Sequence, residues 1–261
     1  MKKTLIALAV AASAAVSGSA MATGWEQNGT GSSVDLGGTL TPADVVTPWE
    51  VKVGAAVNGL DADIRKGDTK VDIPVKKAIP VLGIRTINAT AFVGQSGIVP
   101  QINYGGAVDL SGFNSGVTTV TLDIAGNDGA KIGKMSADFL AAAGISRTGV
   151  DNDSYSAYAY EMRGFTGGLG DSSEKVLPNL AEVLTRVNAL DSEISANFDK
   201  QGQKDVGTWR SSLFERGDSA YSAFYGSGIE QGKTIKITLD TPAGADEIVW
   251  KASLPVTVSY Q

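Results

Sequence analysis

The stretch SSVDLGGTL, Ser32 to Leu40, sets Val34, Leu36, Gly38 and Leu40 on one side and Asp35, Gly37 and Thr39 on the other. A period of two marks a half-buried β-strand. Its flanks, TGWEQNGTG (23–31) and TPADVVTP (41–48), are loop-like, so no turn brings the chain back to pair with it. An apolar-faced strand standing alone near an N-terminus needs a partner from elsewhere.

What precedes it gives a context. MKKTLIALAVAASAAVSGSAMA (1–22) has a basic head at Lys2 and Lys3, an apolar run from Leu5 to Val16 and small residues up to Ala22. This pattern predicts a secretory signal peptide cleaved after Ala22. The apolar run is too short to span a bilayer, and no later stretch approaches about 18 apolar residues. The expectation is an exported, soluble mature chain.

Losing Lys2 and Lys3 with the leader takes the formal net charge from −6 to −8. An acidic chain lacks the basic face that nucleic acid requires. Cys and His are both absent. Thiolate chemistry, Ser-His-Asp catalysis and imidazole metal sites are thereby excluded. No cofactor is expected. A secreted hydrolase built on paired carboxylates would need a pair that the local sequence does not single out, and the chain is read as a non-enzyme.

Most of the remainder alternates as β-strands do. Trp49, Val51 and Val53 point one way in PWEVKVG, and Val71, Ile73 and Val75 do so in KVDIPV. Val120, Leu122 and Ile124 precede a turn at Asn127-Asp128-Gly129 and a short return strand, a hairpin pattern. KTIKITLD sets Ile235, Ile237 and Leu239 on one face, and IVWKASLPVTVSYQ alternates along its whole length through Trp250, Ala252, Leu254, Val256, Val258 and Tyr260. Many short strands with turns drawn from 32 glycines predict a mostly β sandwich.

One segment breaks the pattern. Leu180, Val183, Leu184, Val187, Leu190, Ile194 and Phe198 are spaced by threes and fours, which predicts a helix over 180–198 with Pro178 in its first turn. Residues 151–210 are read as an insertion between strands, carrying this helix on the side of the sandwich.

Short motifs are read blandly. Ser172-Ser173-Glu174-Lys175 matches S-x-x-K without its companion motifs. Asp151-Asn152-Asp153 starts like a calcium loop but lacks the later Gly and Glu. Arg216-Gly217-Asp218 is ordinary turn chemistry, although it also spells the tripeptide that integrins read. The aromatic residues Tyr155, Tyr158, Tyr160, Phe165, Trp209 and Phe214, with Arg163 and Arg210 among them, suit either a ligand pocket for sugars or a satellite core beneath the helix.

The two terminal segments suggest each other as partners. A sandwich short of one strand would leave a groove beside the C-terminal strand, and the N-terminal segment of another copy could fill it by β-augmentation. Burying Val34, Leu36 and Leu40 would contribute roughly 1.5–3 kcal/mol each, and each added ladder hydrogen bond about 1 kcal/mol. Gly38 would suit a shallow point of such a groove. A head-to-tail contact of this kind does not close, and it builds a fibre.

In SVDLGGTL, PWEVKVGAAVNGL, RVNAL, GSGIEQGKTIKITL and PVTVSY, together with the leader, the sequence resembles the major fimbrial subunits of chaperone–usher thin fimbriae, of the FaeG/ClpG type of enterobacteria. The resemblance spans nearly the whole mature chain and is weakest over 149–177. It implies an incomplete immunoglobulin-like sandwich (42–261) completed by donor-strand exchange, with a donor extension at 23–41. Val34, Leu36, Gly38 and Leu40 are then the donor residues. Leu254, Val256, Val258 and Tyr260 line the groove and form the chaperone-binding strand. The implied partners are identical subunits, a periplasmic chaperone, an outer-membrane usher and host glycoconjugates. The implied destination is a surface fimbria, reached through the periplasm. Glycan contact is expected at the helix-bearing insertion, with Tyr155, Tyr158, Tyr160, Arg163 and Trp209 as candidates. The alternative is a monomeric secreted carbohydrate-binding protein.

Overall fold

A computed structural model describes residues 36–39 and 46–261. The leader, Val34 and Leu40 lie outside the described residues. The chain divides into two units, 1–43 and 44–261. In the first, Leu36–Thr39 joins no ladder and Leu36 is 92% exposed.

The second unit is mostly β. Its strands are β1 (Trp49–Val53), β2 (Lys70–Pro74), β3 (Ile79–Thr86), β4 (Phe92–Val93), β5 (Pro100–Asn103), β6 (Val117–Ala125), β7 (Lys131–Thr148), β8 (Asp153–Tyr158), β9 (Asp205–Arg210), β10 (Ala220–Ile229), β11 (Thr234–Leu239), β12 (Lys251–Ala252) and β13 (Thr257–Tyr260). An α-helix, α1 (Leu180–Leu190), lies between β8 and β9, preceded by a 3-10 turn at Ser173–Lys175. A large sheet follows the order β1-β3-β10-β7-β11-β2, and β13 pairs with β5 in a second, two-stranded sheet. This is the expected immunoglobulin-like sandwich with a helical insertion.

β7 organises the unit. Its first half runs between β6 and β11, and its second half between β10 and β8. The sequence suggested a short return strand after the 127–129 turn; the strand has 18 residues. Up to Phe139 it alternates, because one face meets the core and the other meets solvent. From Leu140 to Ser146 every residue is buried. There α1 covers the outer face, so both faces are dry and the run LAAAGIS carries no alternation.

The helix docks through its apolar stripe. Leu180, Val183, Val187 and Leu190 form a cluster with Leu140, Ala142 and Phe224, separate from the main core. Small strand residues allow the close approach: a Cβ on Gly144 would lie 2.5 Å from Leu180 Cδ1. The helix ends at Leu190 rather than 198. Asp191 closes it in an extended conformation, and Ile194 and Phe198 reach the same cluster from the following turns. Pro178 is not in the first turn. Asn179 is the N-cap, and its side chain accepts from the Glu182 N–H at 2.9 Å.

Residues 151–210 are also less of an appendage than the sequence implied. β8 pairs with β7 and β9 pairs in parallel with β8, so both ends of the segment belong to the large sheet.

Candidate functional site

Two features of the second unit stand out, an apolar groove and an aromatic–guanidinium patch.

The groove has a volume of about 1320 Å³ and is lined only by residues between Val53 and Val256. Its floor consists of the inward side chains of alternating strands, among them Ile73, Val120, Ile124, Phe139, Ile235 and Ile237. These are core residues of the sandwich, reached from outside. Its rims are the stretches 54–64 and 244–256, which contribute one short ladder, Lys251–Ala252 against Ala125–Ile124. Between 55 and 64, and again between 253 and 256, no backbone group takes part in a strand ladder among the described residues. A wall of core aliphatics between two unladdered rims is the shape of a sandwich short of one strand.

The C-terminal segment shows the same deficit. Trp250, Ala252, Leu254, Val256, Val258 and Tyr260 all turn inward, and all remain only half-buried. Leu254 and Val256 line the groove, with Pro255 between them interrupting the ladder. Val258 and Tyr260 do not line it. They lie beyond its end in β13, registered against Ile102 and Pro100 of β5 and packed on the main core. Gln261 continues this pairing, exchanging two backbone hydrogen bonds with Val99 at 3.0 and 3.1 Å. Sequence reasoning missed the 54–64 rim, because GAAVNGLDADI has neither strand nor helix periodicity.

The aromatic candidates separate into two groups. Tyr155, Phe165 and Phe214 are fully buried. Phe165 and Phe214 pack edge-on against Trp49 at 6.0 and 5.1 Å. Tyr155 is therefore corrected from a receptor-binding candidate to a core residue: none of its surface is open to a ligand. Arg147 lies 5.2 Å from its ring centroid, and burial pushes its hydroxyl well above the usual tyrosine range. Tyr158, in β8, is half-buried.

Tyr160 and Trp209 are exposed, and the arginines gather on them. The Arg163 and Arg210 guanidinium carbons each lie 5.7 Å from the Tyr160 ring centroid, and Arg210 lies 5.9 Å from that of Trp209. The register explains the meeting, since Ala157 and Tyr158 of β8 stand beside Trp209 and Arg210 of β9. The loop after β8 is fixed from below. Thr166 Oγ1 donates to the Glu161 and Arg163 carbonyls at 3.0 and 2.7 Å, and Gln101 Nε2 to those of Met162 and Arg163 at 3.1 and 3.0 Å. Glu161 and Phe165, at φ 50° and 64°, occupy the left-handed region that side chains disfavour.

The other motifs resolve into local structure. Ser172 Oγ donates to Glu174 at 2.8 Å while Lys175 pairs with Asp171, so no serine–lysine dyad forms. Asp151 and Asp153 both pair with Arg147, at 3.1 and 2.7 Å. Arg216 pairs with Asp218 within its own turn at 3.2 Å. No cluster of metal-ligating side chains occurs among the described residues.

Comparison with known proteins shows the family of the chain. A family model described as "Fimbrial, major and minor subunit" matches residues 1–261. The chain is 32% identical to K88 fimbrial protein AB and 31% identical to K88 fimbrial protein AC, both of Escherichia coli, with each chain covered in full. It is 28% identical to the F41 fimbrial protein of the same organism, again over both whole chains.

Proposed function

This chain belongs to the family of fimbrial major and minor subunits, and from that premise we propose that it polymerises by donor-strand exchange into a surface fimbria that adheres to host glycans. The observation that carries the reading is the groove: core aliphatic side chains open to the outside between rims without ladder partners. The segment at Val34–Leu40 has the matching chemistry, an apolar face of strand period. In one copy its described part, Leu36–Thr39, joins no ladder. Insertion into the groove of the next copy would bury Leu36 and its neighbours and give both rims a partner. Before assembly, a periplasmic chaperone covers the same groove, and the exchange takes place at an outer-membrane usher. The chain acts by binding rather than catalysis, with the glycan contact on the surface formed by 151–210.

The test is Leu36→Asp. A charge buried in an apolar groove costs several kcal/mol unless it is paired, and Leu36 is solvent-exposed in the isolated chain. The variant subunit should accumulate in its chaperone-bound form and fail to enter fibres. Fibres of normal length and yield from this variant would end the donor-strand reading.

A further inference from the structure

We propose that the patch formed by Tyr160, Arg163, Trp209 and Arg210 is a subsite for an anionic sugar, a pyranose bearing a carboxylate or a sulfate ester. The proposal rests on the adhesive reading above and names the class of glycan it takes.

The chain has seven arginines. Arg85, Arg147, Arg186 and Arg216 are each paired with a carboxylate. Arg65, Arg163 and Arg210 have no such partner among the described residues, and the last two converge on the Tyr160 ring. Glu161, exposed and next in the chain to Tyr160, forms no ion pair with either. In a chain of formal net charge −6, two free guanidiniums at one aromatic ring form a local positive site. The cation–π contact favours each cation's place near the ring without using its hydrogen-bond donors, and the planar fork of arginine matches the geometry of an oxyanion.

The polar atoms around the patch are underused. Arg163 Nε is buried and meets no acceptor. Ser211 is 1% exposed, and its Oγ also has no partner. The two loops are joined here: the Gly164 N–H donates to the Ser212 carbonyl, and the Ser211 N–H to the Tyr158 carbonyl, both at 2.9 Å. Unsatisfied buried polar groups are rare in folded proteins and call for an account. One of them belongs to an unpaired guanidinium and the other to the residue that follows Arg210, which is what a site short of its ligand oxygens shows. The exposed ring of Trp209 supplies an apolar platform for a sugar ring. The Thr166 and Gln101 hydrogen bonds hold the loop in place before any ligand arrives.

Purified fimbriae of the full chain are applied to surfaces carrying lactose, 3′-sialyllactose or 3′-sulfolactose. The parent should bind at least one anionic glycan about tenfold more tightly than lactose, with a preference that weakens as salt rises. Arg163→Gln and Arg210→Gln should each lose about tenfold on the anionic glycan and little on lactose. Arg210→Lys should fall between parent and Gln variant. The sialylated and sulfated surfaces separate the two sources of the anion. Equal binding of charged and neutral glycans by the parent overturns the proposal whatever the variants do, and leaves adhesion standing. Variants that assemble normally and keep the parent's preference also overturn it. Fimbriae that bind none of these surfaces or any wider set of glycans overturn the adhesive reading itself.

Discussion

Arg186 of α1 grips Glu230, just past the end of β10, with both arms of its guanidinium: Nε donates to Oε1 at 2.9 Å and Nη2 to Oε2 at 2.6 Å. Both side chains are largely shielded, at 24% and 19% exposure. The pair therefore ties the helix to the turn between β10 and β11 at a point where solvent screens it weakly. Arg186→Ala should lower the unfolding free energy by about 1–3 kcal/mol, the range for a charge-assisted bond whose partner is left half-buried. Arg186→Lys should recover less than half of that, because a point charge cannot serve both oxygens. Urea unfolding of the purified subunit distinguishes the two, and a Lys variant equal to the parent would show that only the charge matters.

The seating of the helix can be tested from the other side. A Cβ on Gly226 of β10 would fall 2.5 Å from Val187 Cγ1. Gly226→Ala should cost about 1–3 kcal/mol by overpacking. Combining it with Val187→Ala should cost less than the two single changes added together, because the second change removes the clash. Additive losses in thermal unfolding would contradict this packing.

At the C-terminus, deleting Val258–Gln261 removes most of β13 and both hydrogen bonds to Val99. The strand contributes half-buried side chains to the main core, so the loss should act on folding and not on assembly alone. The truncated chain should be degraded, and its steady-state level on immunoblots should fall well below that of the parent. An unchanged level would remove this strand from the folding core.

The interior sets an alkaline limit. Tyr104 and Tyr225 share a hydrogen bond of 2.8 Å, and Tyr104 also bonds Ser227 at 2.7 Å, all in the buried core. Burial pushes the Tyr104 hydroxyl up to about 12 and the Tyr225 hydroxyl well above its usual value. Both groups hold their protons more tightly folded than unfolded. Their contribution is complete below about pH 10 and is lost as pH rises from there through the folded value. A displacement of this size corresponds to roughly 3 kcal/mol for Tyr104. Denaturant midpoints should fall steeply between about pH 10 and 12, and Tyr104→Phe should flatten the slope even if it is less stable at pH 8. An unchanged slope in the variant would assign the alkaline loss to other groups.

The sequence disclosed those parts of the fold where one face of an element meets solvent. β6, β11 and α1 each have a wet side, so their periods of two and of three to four are visible in Val120–Ile124, Ile235–Leu239 and Leu180–Leu190. The second half of β7 has none, and its small buried residues carry no period. The helix end was misplaced for a related reason. Ile194 and Phe198 keep a helical spacing because they face the same cluster, although the backbone has left the helix at Asp191. Spacing reports which way side chains point, not the path of the chain between them. The groove was half legible: Leu254 and Val256 lay in an alternating run, whereas the 54–64 rim had no pattern to read. Tyr155 and Tyr160 belong to one aromatic-rich stretch, yet Tyr155 is fully buried in β8 opposite Ile145 of β7 whereas Tyr160 lies past the end of that strand and is exposed.

The parallel ladder of β8 and β9 has a consequence for how this protein can change over time. Two neighbouring parallel strands must be joined by a crossover, and here the crossover is residues 159–204 with α1 inside it. The chain leaves the sheet at Tyr158 and re-enters it at Asp205, one strand away. The excursion is pinned along its way, where Thr166 bridges Gln101 of β5, the Gly116 N–H donates to the Lys175 carbonyl, and α1 seats on β7 and β10; between pins, residues gained or lost cost an entropy that grows only slowly with loop length. The helix fills one side of the excursion and stays anchored to β7 and β10, while Phe165 before it and Ile194 after it are buried in the two cores. The architecture thus confines tolerance of inserted or deleted residues to the spans between these pins, where exposed side chains can change without moving a strand.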